Sequence, residues 1–173
     1  MLINQLTKFE KFKELVEEVN SILNSVEFRD GVNQIGLQVK DPTNNSPDAW
    51  YESVGRIRKG NTIIVEPHYK YINPTLKGGY IDQWLQSLDL RVVRLRLMLV
   101  DPKTCYSIHS DPYPRVHLPV ITNPQCLLCF PDDMLMKHLP ADGTSYWVDT
   151  RKKHTFMNCS EISRVHLVGV ALN

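Results

Sequence analysis

From residue 91 onward, apolar side chains recur at every second position in short runs. Leu95, Leu97 and Leu99 alternate with Arg94, Arg96 and Met98, and "RVHLPVIT" and "ISRVHLVGVAL" repeat the pattern. A period of two is the signature of β-strands, whose alternate side chains point to opposite faces. "CLLCF" and "SYWVDT" add two further apolar runs, and Pro, Asp, Asn and Gly separate all of them. Five or so short strands spaced in this way predict an all-β barrel or double-sheet jelly roll.

The preceding half reads differently. Phe9, Phe12, Leu15, Val16, Val19, Ile22 and Leu23 recur at spacings of three and four. They form one face of a helix of about four turns, suited to packing on a sheet. Thr7 and Glu10 have the spacing of a capping box at its start. "NQIGLQVKD" predicts a strand. Residues 42–61 predict a long loop with one more strand near "ESVGRI". "NTIIVEPHYKYINP" starts as a strand and ends as a loop, and "GGYIDQWLQSL" predicts a short helix from about Tyr80 to Ser87. We read residues 1–173 as one domain. Residues 1–89 wrap it and supply the substrate side, and residues 90–173 form a β core.

A chain of 173 residues buries enough surface to fold without a metal or disulfide staple, so a metal site here would serve function. With 20 basic and 19 acidic residues, no charge bias points to nucleic acid or an anionic membrane. No apolar run approaches the roughly 18 residues of a spanning helix. The charged start "MLINQLTKFEKFKELVEE" lacks the apolar centre of a signal peptide. The expectation is a soluble, cytoplasmic protein with reduced cysteines. Cys126 and Cys129 form a C-x-x-C, but Cys105 and Cys159 are single and distant, so a zinc site lacks its second pair.

The chemistry concentrates in "YSIHSDPYPRVHLPV". His109 and Asp111 are two residues apart, so in an extended chain both side chains reach one point. His154 follows 43 residues after Asp111, and Arg164 ten residues after His154. Two histidines and a carboxylate on one face leave three positions open on an octahedral ion, the arrangement of non-haem Fe(II) oxygenases. Arg164 lies in a strand that is apolar on both faces. A buried guanidinium there needs an anion, and a carboxylate matches its two parallel donors. Arg115 and His117 share a strand face and are placed to enter the same cavity.

Taken together, the HxD pair, the distal histidine and the arginine ten residues later resemble the iron- and 2-oxoglutarate-dependent oxygenases. "RVHLPVITNP" and "YWVDTRKKHTFMNCSEISRVHLV" are similar to the aspartyl/asparaginyl β-hydroxylase branch, over roughly residues 90–172. The resemblance implies a double-stranded β-helix, that is, a mainly β jelly roll of the cupin type with supporting N-terminal helices. It implies a catalytic metal site of His109, Asp111 and His154 binding Fe(II). Arg164 would hold the distal carboxylate of 2-oxoglutarate, with Arg115 and His117 assisting. It further implies a dioxygenase that consumes O2 and hydroxylates an unactivated C–H bond, with release of succinate and CO2. Asp111 is a departure, because the animal members of the branch use two histidines without a carboxylate. The stretch after Arg164 also lacks the branch's histidine-proline tail. The substrate expected is a small molecule or a peptide, such as an Asp or Asn residue or a free amino acid.

Blander readings stand beside these. His109 and Asp111 also suit an exposed polar turn. Arg164 would pair with Glu161 or Asp149 in a purely structural role, and Arg115 and His117 would serve structural hydrogen bonds. His166 reads as structural, and His68 and His138 as surface residues. The alternative function is a non-oxidative cupin-like metal-binding protein, an isomerase or a binding module. Such a protein has no need of a buried arginine at position 164.

Overall fold

The structure is a computed structural model that describes residues 1–29, 31–55, 58–59 and 62–172. Its strands are β1 (Ile3–Lys8), β2 (Gln34–Gly36), β3 (Gln38–Val39), β4 (Arg58–Lys59), β5 (Thr62–Ile63), β6 (Tyr71–Ile72) and β7 (Arg91–Val100). After these come β8 (Thr104–Cys105), β9 (Arg115–Ile121), β10 (Cys126–Phe130), β11 (Leu135–Lys137), β12 (Thr144–Val148), β13 (Thr155–Asn158) and β14 (Arg164–Leu172). The two α-helices are α1 (Phe12–Ser25) and α2 (Tyr80–Ser87).

Two antiparallel sheets dominate. The larger runs β1-β12-β9-β14-β7-β2 and the smaller β11-β10-β13-β8. From β7 onward the chain crosses repeatedly between them: β7, β9, β12 and β14 belong to the large sheet, while β8, β10, β11 and β13 belong to the small one. That winding is the double-stranded β-helix that the resemblance implies, and of the two architectures the strand spacing allows it is the jelly roll.

The alternation along β9 and β14 divides the interior into two environments. Val116, Leu118, Val165 and Leu167 face outward and pack on Leu15, Val19 and Ile22 of α1 and on Ile81 and Trp84 of α2. Each leucine-sized side chain buried this way contributes about 1.5–3 kcal/mol. The Trp84 indole N–H donates to Ser145 Oγ at 2.9 Å, tying α2 to β12. On the inner side, Leu128, Phe130, Tyr146, Val148 and Phe156 fill part of the space between the sheets. The rest of that space is polar and holds the site.

Helix α2 spans the residues expected. Helix α1 starts later than expected, at Phe12, and Lys11 at its N-cap makes no side-chain capping bond. Thr7 lies instead in β1, where Ile3, Asn4 and Gln5 pair with Val148, Trp147 and Tyr146. Completing the hydrogen bonds of the β12 edge outweighs one local cap. "NQIGLQVKD" divides into β2, which pairs with β7, and β3, which pairs with β6. Near "ESVGRI", residues 56–57 lie outside the described residues, and a two-residue strand follows at β4. Among the described residues, no helix is long and apolar enough to cross a membrane.

Candidate metal centre

His109 and His154 are brought together by an isolated antiparallel bridge. The His109 N–H donates to the His154 carbonyl at 3.0 Å, and the His154 N–H to the His109 carbonyl at 2.9 Å. Residues directly opposite in such a pair project to the same side. The two rings accordingly lie 4.4 Å apart, centroid to centroid. Asp111 follows two residues after His109, and its N–H donates to Thr150 O at 2.8 Å. One donor atom from each of His109, Asp111 and His154 lies within 4.8 Å of the others.

The protonation states already suit a cation. His109 Nδ1 lies 2.7 Å from Ser107 O, and His154 Nδ1 lies 2.9 Å from Lys152 O. A carbonyl only accepts, so each Nδ1 carries a proton and Nε2 is the nitrogen placed to ligate. Burial lowers the His154 pKa and keeps the ring neutral. Burial alone would raise the Asp111 carboxyl, but chiefly the hydrogen bond and charge of Arg115 bring it down to about 2.

Behind Asp111 runs a chain of buried charges. Arg115 Nε donates to Asp111 Oδ2 at 2.9 Å, and its Nη1 donates to Glu66 Oε1 at 2.6 Å. Arg94 Nη1 donates to the same Glu66 oxygen at 2.7 Å, while its Nε and Nη2 donate to Ser53 O and Gly55 O. Burial works against a charged Arg115, yet Asp111 and Glu66 outweigh it and raise its pKa. The side chain of Arg115 is therefore engaged with two carboxylates. Glu66 and Arg94 carry no motif, and the sequence reading missed both. Arg94 and Arg96 stand in an apolar alternating strand, as Arg164 does, so the same reasoning would have found them.

Arg164 occupies the first position of β14, opposite Val100. Its guanidinium lies over the Phe156 ring, 4.1 Å from the centroid. Its Nε and Nη1 are buried without a partner among the described residues. Burial lowers its pKa to about 10, so it remains a cation at neutral pH. Neither Glu161 nor Asp149 reaches it; they pair with Lys103 and Arg151. The neighbouring rings of His117 and His166, 5.8 Å apart, also lack partners for both nitrogens, and burial holds both well below the usual imidazole range.

Asn158 locks the turn that leads into β14. Its Nδ2 donates to Val100 O, Asp101 O and Ile162 O, and its Oδ1 accepts from Ser160 N and Oγ. Cys126 Sγ donates to the same oxygen at 3.3 Å, and all four cysteines are free.

His109, Asp111, Arg115, His117, His154 and Arg164 all line one cavity of about 810 Å³. That volume suits a cosubstrate and a small substrate together. The expectation that residues 1–89 supply its substrate side meets a described lining drawn mainly from the β core. Gly31, Val32, Asn33, Gln34 and Gly55 are the contribution of the first half.

No protein-family model and no curated protein matches this sequence. Solved structures do match in fold. A Pseudomonas putida prolyl-4-hydroxylase superposes with a TM-score of 0.55 and 11% identity, over 98% of this chain and 91% of that one. The viral collagen prolyl hydroxylase of Paramecium bursaria Chlorella virus-1, determined as a 2OG complex, gives 0.51 and 12%, over 99% and 96%. AviO1 from Streptomyces viridochromogenes Tue57 gives 0.51 and 11%, over 99% and 90%. At these identities the likeness establishes a shared double-stranded β-helix.

Proposed function

We propose that this chain is an Fe(II)- and 2-oxoglutarate-dependent dioxygenase that hydroxylates an unactivated C–H bond. The observation that carries the reading is the pairing of two features in one cavity. One is the His109–Asp111–His154 donor set; the other is the buried guanidinium of Arg164, which has no anion among the described residues. The donor set suits a six-coordinate ferrous ion with open positions. The two unpartnered donors of Arg164 suit a carboxylate, and leaving them unsatisfied would be costly. A non-oxidative cupin-like protein would leave Arg164 without a purpose. The fold shared with two prolyl hydroxylases supports the same reaction class.

The residues then divide the work. His109, Asp111 and His154 would hold the iron through two Nε2 atoms and the Asp111 carboxylate. Arg115 restrains Asp111 through Oδ2, the oxygen that lies 3.9 Å from His154 Nε2. Arg164 would fix the distal carboxylate of 2-oxoglutarate. The neutral imidazole of His117 stands on the same wall and offers an N–H toward the cosubstrate without adding charge. When bound, iron and 2-oxoglutarate let O2 take two electrons from the oxo acid, which leaves as succinate and CO2, and two from the substrate C–H bond. The apolar cluster of Phe130, Tyr146, Val148 and Phe156 excludes water from the inner side of the site.

The resemblance to the aspartyl/asparaginyl β-hydroxylase branch suggests an Asp or Asn residue or a free amino acid as substrate. The test is succinate release under air with Fe(II) and 2-oxoglutarate, screened against free amino acids and Asp- and Asn-containing peptides. At least one compound is expected to raise succinate well above the background, and Asp111→Ala to abolish the rise. Absence of succinate with every compound would remove the oxygenase reading.

A further inference from the structure

The cavity holds a second buried guanidinium that the steps above do not use. Arg96 lies on β7, opposite Val168 of β14, and is only 5% exposed. Its Nη1 donates to Gln34 Oε1 at 3.0 Å, and its Nε has no partner among the described residues. It lines the cavity with the metal-site residues.

Arg96 and Arg164 stand at different positions along the wall of this cavity. Their positions on the paired strands are four residues apart, roughly 13 Å of strand. The charged groups that bear on Arg96 are Arg94, Arg115, Glu66 and Asp111, and Tyr106 lies within reach of both guanidiniums. Among the described residues, these charges do not neutralise Arg96. Arg94 and Arg115 close on Glu66 and Asp111, two cations against two anions. With Arg164 on the distal carboxylate of 2-oxoglutarate, Arg96 is left as a buried cation without an anion among the described residues, which is costly.

We propose that Arg96 anchors a free carboxylate of the substrate, and that the substrate is therefore a small carboxylic acid bound whole inside the cavity. This rests on the oxygenase reading of the site. The carboxylate pairs with the open Nε side of the guanidinium, while Gln34 holds the other side. The anchor lines the same cavity as His109, Asp111 and His154, so an acid held there has its carbons in the space the metal site faces. Because Arg96 is enclosed, a group reaching it has to enter the cavity, which favours a free acid over a residue within a polypeptide.

The test uses binding without turnover. Wild type, Arg96→Gln and Arg96→Lys are prepared without oxygen, with Mn(II) in place of iron and with 2-oxoglutarate. Unfolding midpoints are then recorded with the proteinogenic L-amino acids, with their primary amides, and with a short Asp-containing peptide blocked at both ends. At least one free acid is expected to raise the wild-type midpoint further, and its amide not to. Arg96→Gln is expected to lose that shift, with apparent affinity at least ten-fold weaker, and Arg96→Lys to recover part of it. The 2-oxoglutarate shift is expected in all three proteins, which also shows that the variants fold. The proposal is overturned if acids and amides act alike, if no acid acts, or if only the blocked peptide acts. It is equally overturned if Arg96→Gln loses the 2-oxoglutarate shift, which would assign Arg96 to the cosubstrate. Absence of a 2-oxoglutarate shift in wild type would instead strike the oxygenase reading beneath it.

Discussion

Asp111 is held by a buried guanidinium, and that support sets how well it can serve a metal. Oδ2 accepts from Arg115 at 2.9 Å, and Arg115 is itself held by Glu66. Glu66 is thus a positioning residue two bonds removed from the ligand. Glu66→Gln leaves Arg94 and Arg115 short of a countercharge, and breaking a buried pair costs about 3–5 kcal/mol. We predict a corresponding loss in urea unfolding. Among molecules that remain folded, metal affinity should weaken by roughly 10–100-fold in an anaerobic titration, the usual effect of losing such a support. Arg164 is expected to act elsewhere. Arg164→Ala should raise the 2-oxoglutarate requirement at least ~10-fold while metal affinity is kept, because one charged hydrogen-bonded contact contributes about 1.5–3 kcal/mol. Equal loss of both would make Arg164 structural. His109, Asp111, His154 and Arg164 were singled out in the sequence by the HxD pair, their offsets and the resemblance these carry, and the structure brings all four to one cavity. Glu66 was not singled out, because its role depends on a loop folding over β7 and β9.

The same loop explains a deformation within β7. The register with β14 shifts between Val168 and Val170, and Arg94 takes a φ of 50°. A non-glycine residue in the left-handed region is strained, and here the surroundings compensate. The Arg94 N–H donates to Tyr69 O, while Gln38 accepts from Leu95 N and donates to Val92 O. The bulge turns Arg94 toward Glu66. It also brings β7 close to Gly169, where a Cβ would collide with Val92 Cγ1. Gly169→Ala is therefore predicted to lower stability by about 1–3 kcal/mol in urea unfolding, the range for overpacking a close contact. An unchanged midpoint would show that the bulge is compliant. Strands β7, β9 and β14 were legible from alternation, and β10 and β12 from short apolar runs. Strand β1 was hidden because Thr7 and Glu10 imitate a cap, and β8, β11 and β13 because two to four residues carry no period.

Across the whole molecule, the interior keeps three histidines neutral. Burial lowers the pKa of His117, His154 and His166 in the folded chain relative to the unfolded one. Their contribution to stability is complete above the unfolded value of about 6.5 and is lost as pH falls toward the lowered folded values. The metal-free protein should therefore be steady from pH 8 to 7 and weaken below about 6.5. Each histidine that stays neutral contributes a slope of about 1.4 kcal/mol per pH unit. Unfolding midpoints across pH 8 to 5 check this, and a flat profile would contradict it. The overall architecture was legible at this scale because strand spacing predicts a barrel or a jelly roll, and the resemblance selects the second. The sequence did not show how much of the cavity lining the β core supplies, since which strands face each other is settled only by the sheet order. The most direct test of the central claim is an anaerobic titration of the metal-free protein with Fe(II) and 2-oxoglutarate, followed in the visible range. The account predicts a weak charge-transfer band that saturates at one equivalent of each and vanishes in His109→Ala. No band in the wild type, or one that survives His109→Ala unchanged, would contradict it.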